Sequence, residues 1–156
     1  MSIYYSRNTD ITLQLATLKA LRTLPEHWTV ILECRPAGQA VDREFDALIV
    51  TERALHIVEF KYRRETVTIQ TEASWFAGKE RMLSSKRESP KEQVGATADA
   101  FSRWLKQHTP TLHTRLAKQG IFPWVVLERH DPFNTMGITP LREGRFEFSG
   151  HVAVTS

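Results

Sequence analysis

The sequence predicts an α/β fold in which a mixed central β-sheet is flanked by α-helices. Three observations predict it. FDALIVT and ALHIVEFKY are near-continuous apolar runs, the pattern of central strands covered on both faces. Two segments, 8–28 and 89–108, carry apolar residues at helical spacing and can supply the cover. The order of elements is α, β, a β-hairpin, β, α, β and a β-rich tail, so neither class is segregated from the other.

In the first segment, NTDITLQLATLKALRTLPEHW, Ile11, Leu15, Leu18 and Leu21 form the stripe. Asn8, Thr9 or Asp10 can cap the helix and Pro25 stops it. A strand from Thr29 to Cys34 follows, then a loop, RPAGQAVDR, with Pro36 and Gly38. A short turn at Glu52 and Arg53 makes the two apolar runs an antiparallel hairpin. TVTIQ reads as an edge or half-buried strand, SWFAG as a short strand and KERMLSSKRES as loop. Ser89 caps the second helix, Pro90 is its first residue, and Glu92 completes a capping box. Val94, Ala98, Phe101 and Leu105 form its stripe, and Pro110 closes it or the turn after it. FPWVVLERH is a further strand and DPFNTMG a loop. GRFEFSG and HVAVTS read as more β-structure.

At 156 residues, with 41% apolar and 25% charged, the chain fits one globular domain. No apolar run approaches the roughly 20 residues of a membrane span, and the N-terminus lacks a signal-peptide pattern. The single cysteine, Cys34, excludes an internal disulfide framework and a cysteine zinc cage, and reads as a small buried hydrophobe. A cytoplasmic protein is the expectation. The formal charge of +3 permits a polyanionic partner without demanding one. Arg63, Arg64, Lys79, Arg81, Lys86, Arg87 and Lys91 form a basic tract, a pattern that is most often solvated surface. Because the chain stops inside the strand-like run HVAVTS, the expectation is either a shortened chain or a domain excised from a longer protein, of which it could be the N-terminal part.

Asp46, Glu59 and Lys61 are charged groups among those apolar strands. A two-residue turn pairs Thr51 with Ala54 and sets Asp46 opposite Glu59. A register shifted by two sets it opposite Lys61, and either places all three on one face. Close carboxylates raise each other's pKa unless a cation intervenes. Mg2+ and Mn2+ prefer carboxylate, carbonyl and water oxygens. A water activated there with help from Lys61 could attack a phosphodiester, and the ammonium could hold the phosphate. The alternative is a structural ion triad.

These residues resemble the nuclease-related domain (NERD) of the PD-(D/E)XK nuclease superfamily. The similarity runs from about residue 8 to 130: Glu44-Phe45-Asp46, the turn, Glu59-Phe60-Lys61, the opening helix and strand LKALRTLPEHWTVI, Trp75, and SPKEQV as a helix start. The resemblance implies a restriction-endonuclease-like core. Asp46 and Glu59 would be metal ligands with the Phe60 carbonyl, Lys61 the catalytic lysine, Gln93 an accessory group at the phosphate or metal, and Glu44 an assisting one. Gln14 stands where many relatives carry a glutamate on the first helix, and an amide is a poorer magnesium ligand. Ser89 replaces the family's usual asparagine before Pro90, and both residues can cap a helix. Such domains occur alone or fused to helicase, kinase or other domains.

The expectation is a metal-dependent deoxyribonuclease with Mg2+ or Mn2+ as cofactor and DNA, or RNA, as partner. A homodimer would suit double-strand cutting. One rival is a non-catalytic nucleic-acid-binding module using Lys61 and the basic tract; another is an interaction module of a multidomain protein. His56, His108 and His113 read as structural or exposed, and His56 is on the wrong alternation to join Glu59. Trp75, Phe76, Trp104 and Trp124 read as core aromatics, Trp75 and Phe76 being the best placed to stack on bases. Signatures of NTPases, esterases and zinc proteases are missing from the sequence.

Overall fold

A computed structural model describes residues 2–5, 15–34, 43–63, 65–129, 137–140, 146–149 and 153–155. Their elements are β1 (Ser2–Tyr5), α1 (Leu15–Leu21), β2 (Thr29–Cys34), β3 (Phe45–Val50), β4 (Leu55–Arg63), β5 (Val67–Thr71), β6 (Ser74–Ala77), β7 (Glu80–Arg81), α2 (Pro90–His108), α3 (Pro110–Gln119), β8 (Ile121–Arg129), β9 (Gly137–Pro140), β10 (Phe146–Ser149) and β11 (Ala153–Thr155). The expected caps Asn8, Thr9 and Asp10, the loops at 35–42 and 130–136, and the candidate residues Gln14 and Arg64 lie outside the described residues.

The central sheet has the order β1-β2-β3-β4-β8-β11. It is mixed, as expected. β1 runs parallel to β2 and β4 parallel to β8, while the β2–β3, β3–β4 and β8–β11 pairs are antiparallel. Because side chains alternate, each of the middle strands feeds two cores. Val30, Leu32, Ala47, Ile49, Val58, Phe60, Trp124 and Val126 pack on one face with Ala20 and Leu21 of α1. Leu48, Leu55, Ile57 and Val125 pack on the other with Val94, Ala98, Phe101 and Leu105 of α2 and Leu116 of α3. Every residue of β4 from Leu55 to Phe60 is buried, which explains its near-continuous apolar run, interrupted only by His56 and Glu59.

The parallel β4–β8 pair needs a long crossover, and this one contains β5–β7, α2 and α3. β5, β6 and β7 form their own antiparallel sheet, with Trp75, Ala77 and nearby Met82 packed into the α2 core. Trp75 is fully buried and therefore closed to base stacking, in line with its reading as a core aromatic.

One sequence expectation is corrected and two readings are extended. KERMLSSKRES is not all loop, because Glu80 and Arg81 extend the small sheet as β7. Pro110 follows the end of the previous helix, as read, and also opens α3, within the segment QHTPTLHTRLAKQGIF that reads as a plain surface helix, since a missing N–H costs nothing at a first helical position. The N-terminal MSIYY, which carried no strand expectation, contains β1. Where α3 gives way to β8, Gly120 adopts φ 106° and a Cβ there would meet Phe122 Cζ at 2.6 Å. Glycine alone suits that turn.

Candidate active site

The hairpin register decides which charged groups meet. Ala47 pairs with Val58, Leu48 with Ile57, Ile49 with His56 and Val50 with Leu55. This is the two-residue-turn register, and the alternative that set Asp46 opposite Lys61 is excluded. The turn is held by the Thr51 amide donating to the Ala54 carbonyl at 3.0 Å and the Ala54 amide donating to Thr51 Oγ1 at 3.0 Å. Continued one step beyond its last pair, Ala47 and Val58, that register puts Asp46 on the same face as Glu59. The Phe60 amide donates to Asp46 Oδ2 at 2.7 Å. Strand geometry turns the Phe60 carbonyl to that same side, while its ring is buried in the α1 core.

On the α2 face, Lys61 Nζ donates to Glu59 Oε1 at 2.6 Å and to Gln93 Oε1 at 3.0 Å, and Gln93 Nε2 donates to the same Glu59 Oε1 at 2.7 Å. Glu59 is 6% exposed, so its charge needs such partners. Gln93 reaches it because Ser89 starts α2 one turn earlier. The Glu92 amide donates to Ser89 Oγ at 3.2 Å, the Ser89 amide donates to Glu92 Oε2 at 2.8 Å, and Ser89 Oγ donates to the Glu72 carbonyl at 2.7 Å. The helix thus presents its N-terminal end, where anions are favoured, beside the triangle.

The structure therefore forms two groups on neighbouring residues of β4: Asp46 bonded to the Phe60 amide, and Glu59, Lys61 and Gln93 bonded to one another. Glu44 is exposed just ahead of β3 and lines a cleft with Gln93, Arg43, Ser84, Lys86 and Glu88. Of the basic candidates, Lys86 lies in that cleft. Arg87 is exposed on the same loop, Arg63 is exposed with its guanidinium donating to the Tyr62 carbonyl, and Lys79 and Arg81 are exposed on the small sheet. His56 is fully buried, accepts from Trp124 Nε1 at 3.1 Å and stacks on Phe122, a structural role as expected.

Sequence reasoning missed the Arg43–Glu88 pair. Two parallel bonds, of 2.9 and 2.6 Å, join residues 45 apart in the chain. No periodicity links such positions. Their only signal is that each directly precedes a residue already singled out, Glu44 and Ser89.

The oxygens available from Asp46, Glu59 and Phe60 fit a hard divalent cation that keeps several waters. Among the described residues no group of three or more His, Cys, Asp or Glu is placed to hold a metal.

A mixed α/β sheet flanked by helices, with an acid and an E-x-K strand meeting at its centre, defines a nuclease-related protein with a restriction-endonuclease-like core. Residues 12–127 match the family model of the nuclease-related domain (NERD), and the chain belongs to that family. No curated protein and no solved structure matches it. No helix among the described residues is long and apolar enough to cross a membrane.

Proposed function

We propose that the chain is a divalent-metal-dependent nuclease domain that hydrolyses DNA phosphodiester bonds, in DNA processing or repair. The observation that carries this reading is the Glu59 Oε1 atom, bonded by both Lys61 and Gln93 on the strand directly beside Asp46. Stability alone is a weak reason for such an arrangement, because well-packed apolar residues commonly replace a buried ion pair at no cost.

Asp46, Glu59 and the Phe60 carbonyl are the groups that would hold Mg2+ or Mn2+. The bound ion would supply charge neutralisation at the phosphate and a more acidic water. Lys61 has two tasks: its ammonium orients Glu59 and offers a point charge to a non-bridging phosphate oxygen. Gln93 fixes the relative positions of Lys61 and Glu59, since its amide bonds one with each end. Arg63, Arg64, Lys79, Arg81, Lys86 and Arg87 would contact the nucleic-acid backbone, which makes binding salt-sensitive.

The test is cleavage of supercoiled and single-stranded DNA with Mg2+ or Mn2+, comparing the unaltered protein with Asp46→Ala and Lys61→Ala. Metal-dependent cutting is expected, reduced about 10²-fold or more in both variants. Highly purified protein that never cuts, or variants that cut equally well, would overturn the catalytic reading. Salt-sensitive, metal-independent binding in its place would identify a nucleic-acid-binding module.

A further inference from the structure

Arg43 and Glu88 have no place in the chemistry above, yet their geometry is the strong one for an ion pair: a guanidinium fork on both oxygens of a carboxylate, at 2.9 and 2.6 Å. Both are largely shielded, with side chains 18% and 22% exposed. Glu88 is fixed from behind as well. Its amide donates to Ser84 Oγ at 3.2 Å, its carbonyl accepts from the Ser84 amide at 2.8 Å, and Ser84 Oγ donates to its Oε2 at 3.4 Å. The Arg87 amide closes the same loop onto the Ser84 carbonyl at 2.9 Å, with Arg87 at φ 62°. The acid is therefore anchored.

The location of the pair gives it a consequence for the site. Arg43 lies three residues before Asp46, and Glu88 directly precedes the cap of the helix that carries Gln93. Asp46 stands one step past the last backbone pair between β3 and β4, where β3 is held by the Cys34–Phe45 pair with β2 and by the Phe60 amide on Asp46 Oδ2, and the fork adds a tie to α2. Gln93 is placed by wherever α2 begins. The Arg43–Glu88 fork joins these two segments directly, across a cleft of about 200 Å³ that Gln93 also lines.

We propose that Arg43 and Glu88 are positioning residues, a clamp that sets the start of β3 against the start of α2 and thereby fixes Gln93 on Glu59 and Lys61. Its catalytic consequence rests on the nuclease reading; its structural consequence does not. The experiment therefore reads two quantities in Arg43→Gln, Glu88→Gln, the conservative Arg43→Lys, and the exchanged pair Arg43→Glu with Glu88→Arg. The first is the side-chain amide resonance of Gln93 by NMR, and the second is kcat against KM for DNA cleavage. Both Gln variants and Arg43→Lys should move the Gln93 resonance. In the Gln variants kcat should fall about tenfold or more with KM within about threefold, because small displacements at a reacting centre are costly. The exchanged pair should restore both quantities in part. Folded variants whose Gln93 resonance does not move would overturn the clamp. A rise in KM alone would overturn it too, in favour of direct substrate contact. If the unaltered protein cuts no DNA, the resonance still decides the clamp, so its failure and that of the nuclease reading are separable.

Discussion

Glu59 and Glu88 show how one residue type is used in two ways within this domain. Glu59 is buried on a central strand, and one of its oxygens is shared by a lysine and an amide whose placement depends on a distant helix. Glu88 sits in a loop, with both oxygens taken by Arg43. Hydrogen bonds from that guanidinium hold the Glu88 carboxyl below its ordinary value of 4.5. A depressed folded pKa contributes stability above the unfolded value, and that stability is lost as pH falls through the folded value. The melting temperature of Glu88→Gln should therefore lie below that of the unaltered protein near neutral pH, by an amount corresponding to about 1–2 kcal/mol. The gap should begin to close as pH falls below the ordinary value of 4.5 and go on closing through the lower folded value. A gap independent of pH would show that the carboxylate charge contributes nothing.

At the scale of elements, α2 connects the crossover to the site, and its capping box decides where Gln93 falls. Ser89→Ala removes the side-chain bond to the Glu92 amide and the one to the Glu72 carbonyl. It should lower stability by about 1–2 kcal/mol in denaturant unfolding. A loss below about 0.3 kcal/mol would mean that Pro90 and the rest of the box start the helix unaided. This helix was legible in the sequence because its signals are local: a cap, a proline and a stripe within one segment. The β3–β4 hairpin was legible for the same reason, since a short turn and parity of side chains put Asp46, Glu59 and Lys61 on one face, and only the choice between two registers needed the structure. β1 could not be read, because a four-residue edge strand is defined by its pairing with β2 and not by its own pattern. β7 is shorter still and exists only against β6. Trp75 was legible as a core aromatic, but that it and not Phe76 is the fully buried one of the two depends on how β6 packs. Arg43 and Glu88 meet through the tertiary fold alone, so their partnership was invisible.

Across the whole molecule, two apolar cores on opposite faces of a mixed sheet hold β4 rigidly between β3 and β8. The charged groups occupy the far end of that strand, where its burial gives way to half-exposed Lys61 and Tyr62 and then exposed Arg63. A frame of this kind can keep two carboxylates at fixed separation without an ion. It also spares a bound cation the cost of ordering its ligands, which favours affinity. The central claim is that this charged strand end holds a divalent ion. Calorimetric titration of the purified protein with Mn2+, beside Asp46→Ala and Glu59→Gln, tests it most directly. The account predicts saturable Mn2+ binding that either substitution reduces by about tenfold or more. Absence of binding in the unaltered protein, or equal binding in all three, would contradict it and leave Asp46, Glu59 and Lys61 as a structural triad.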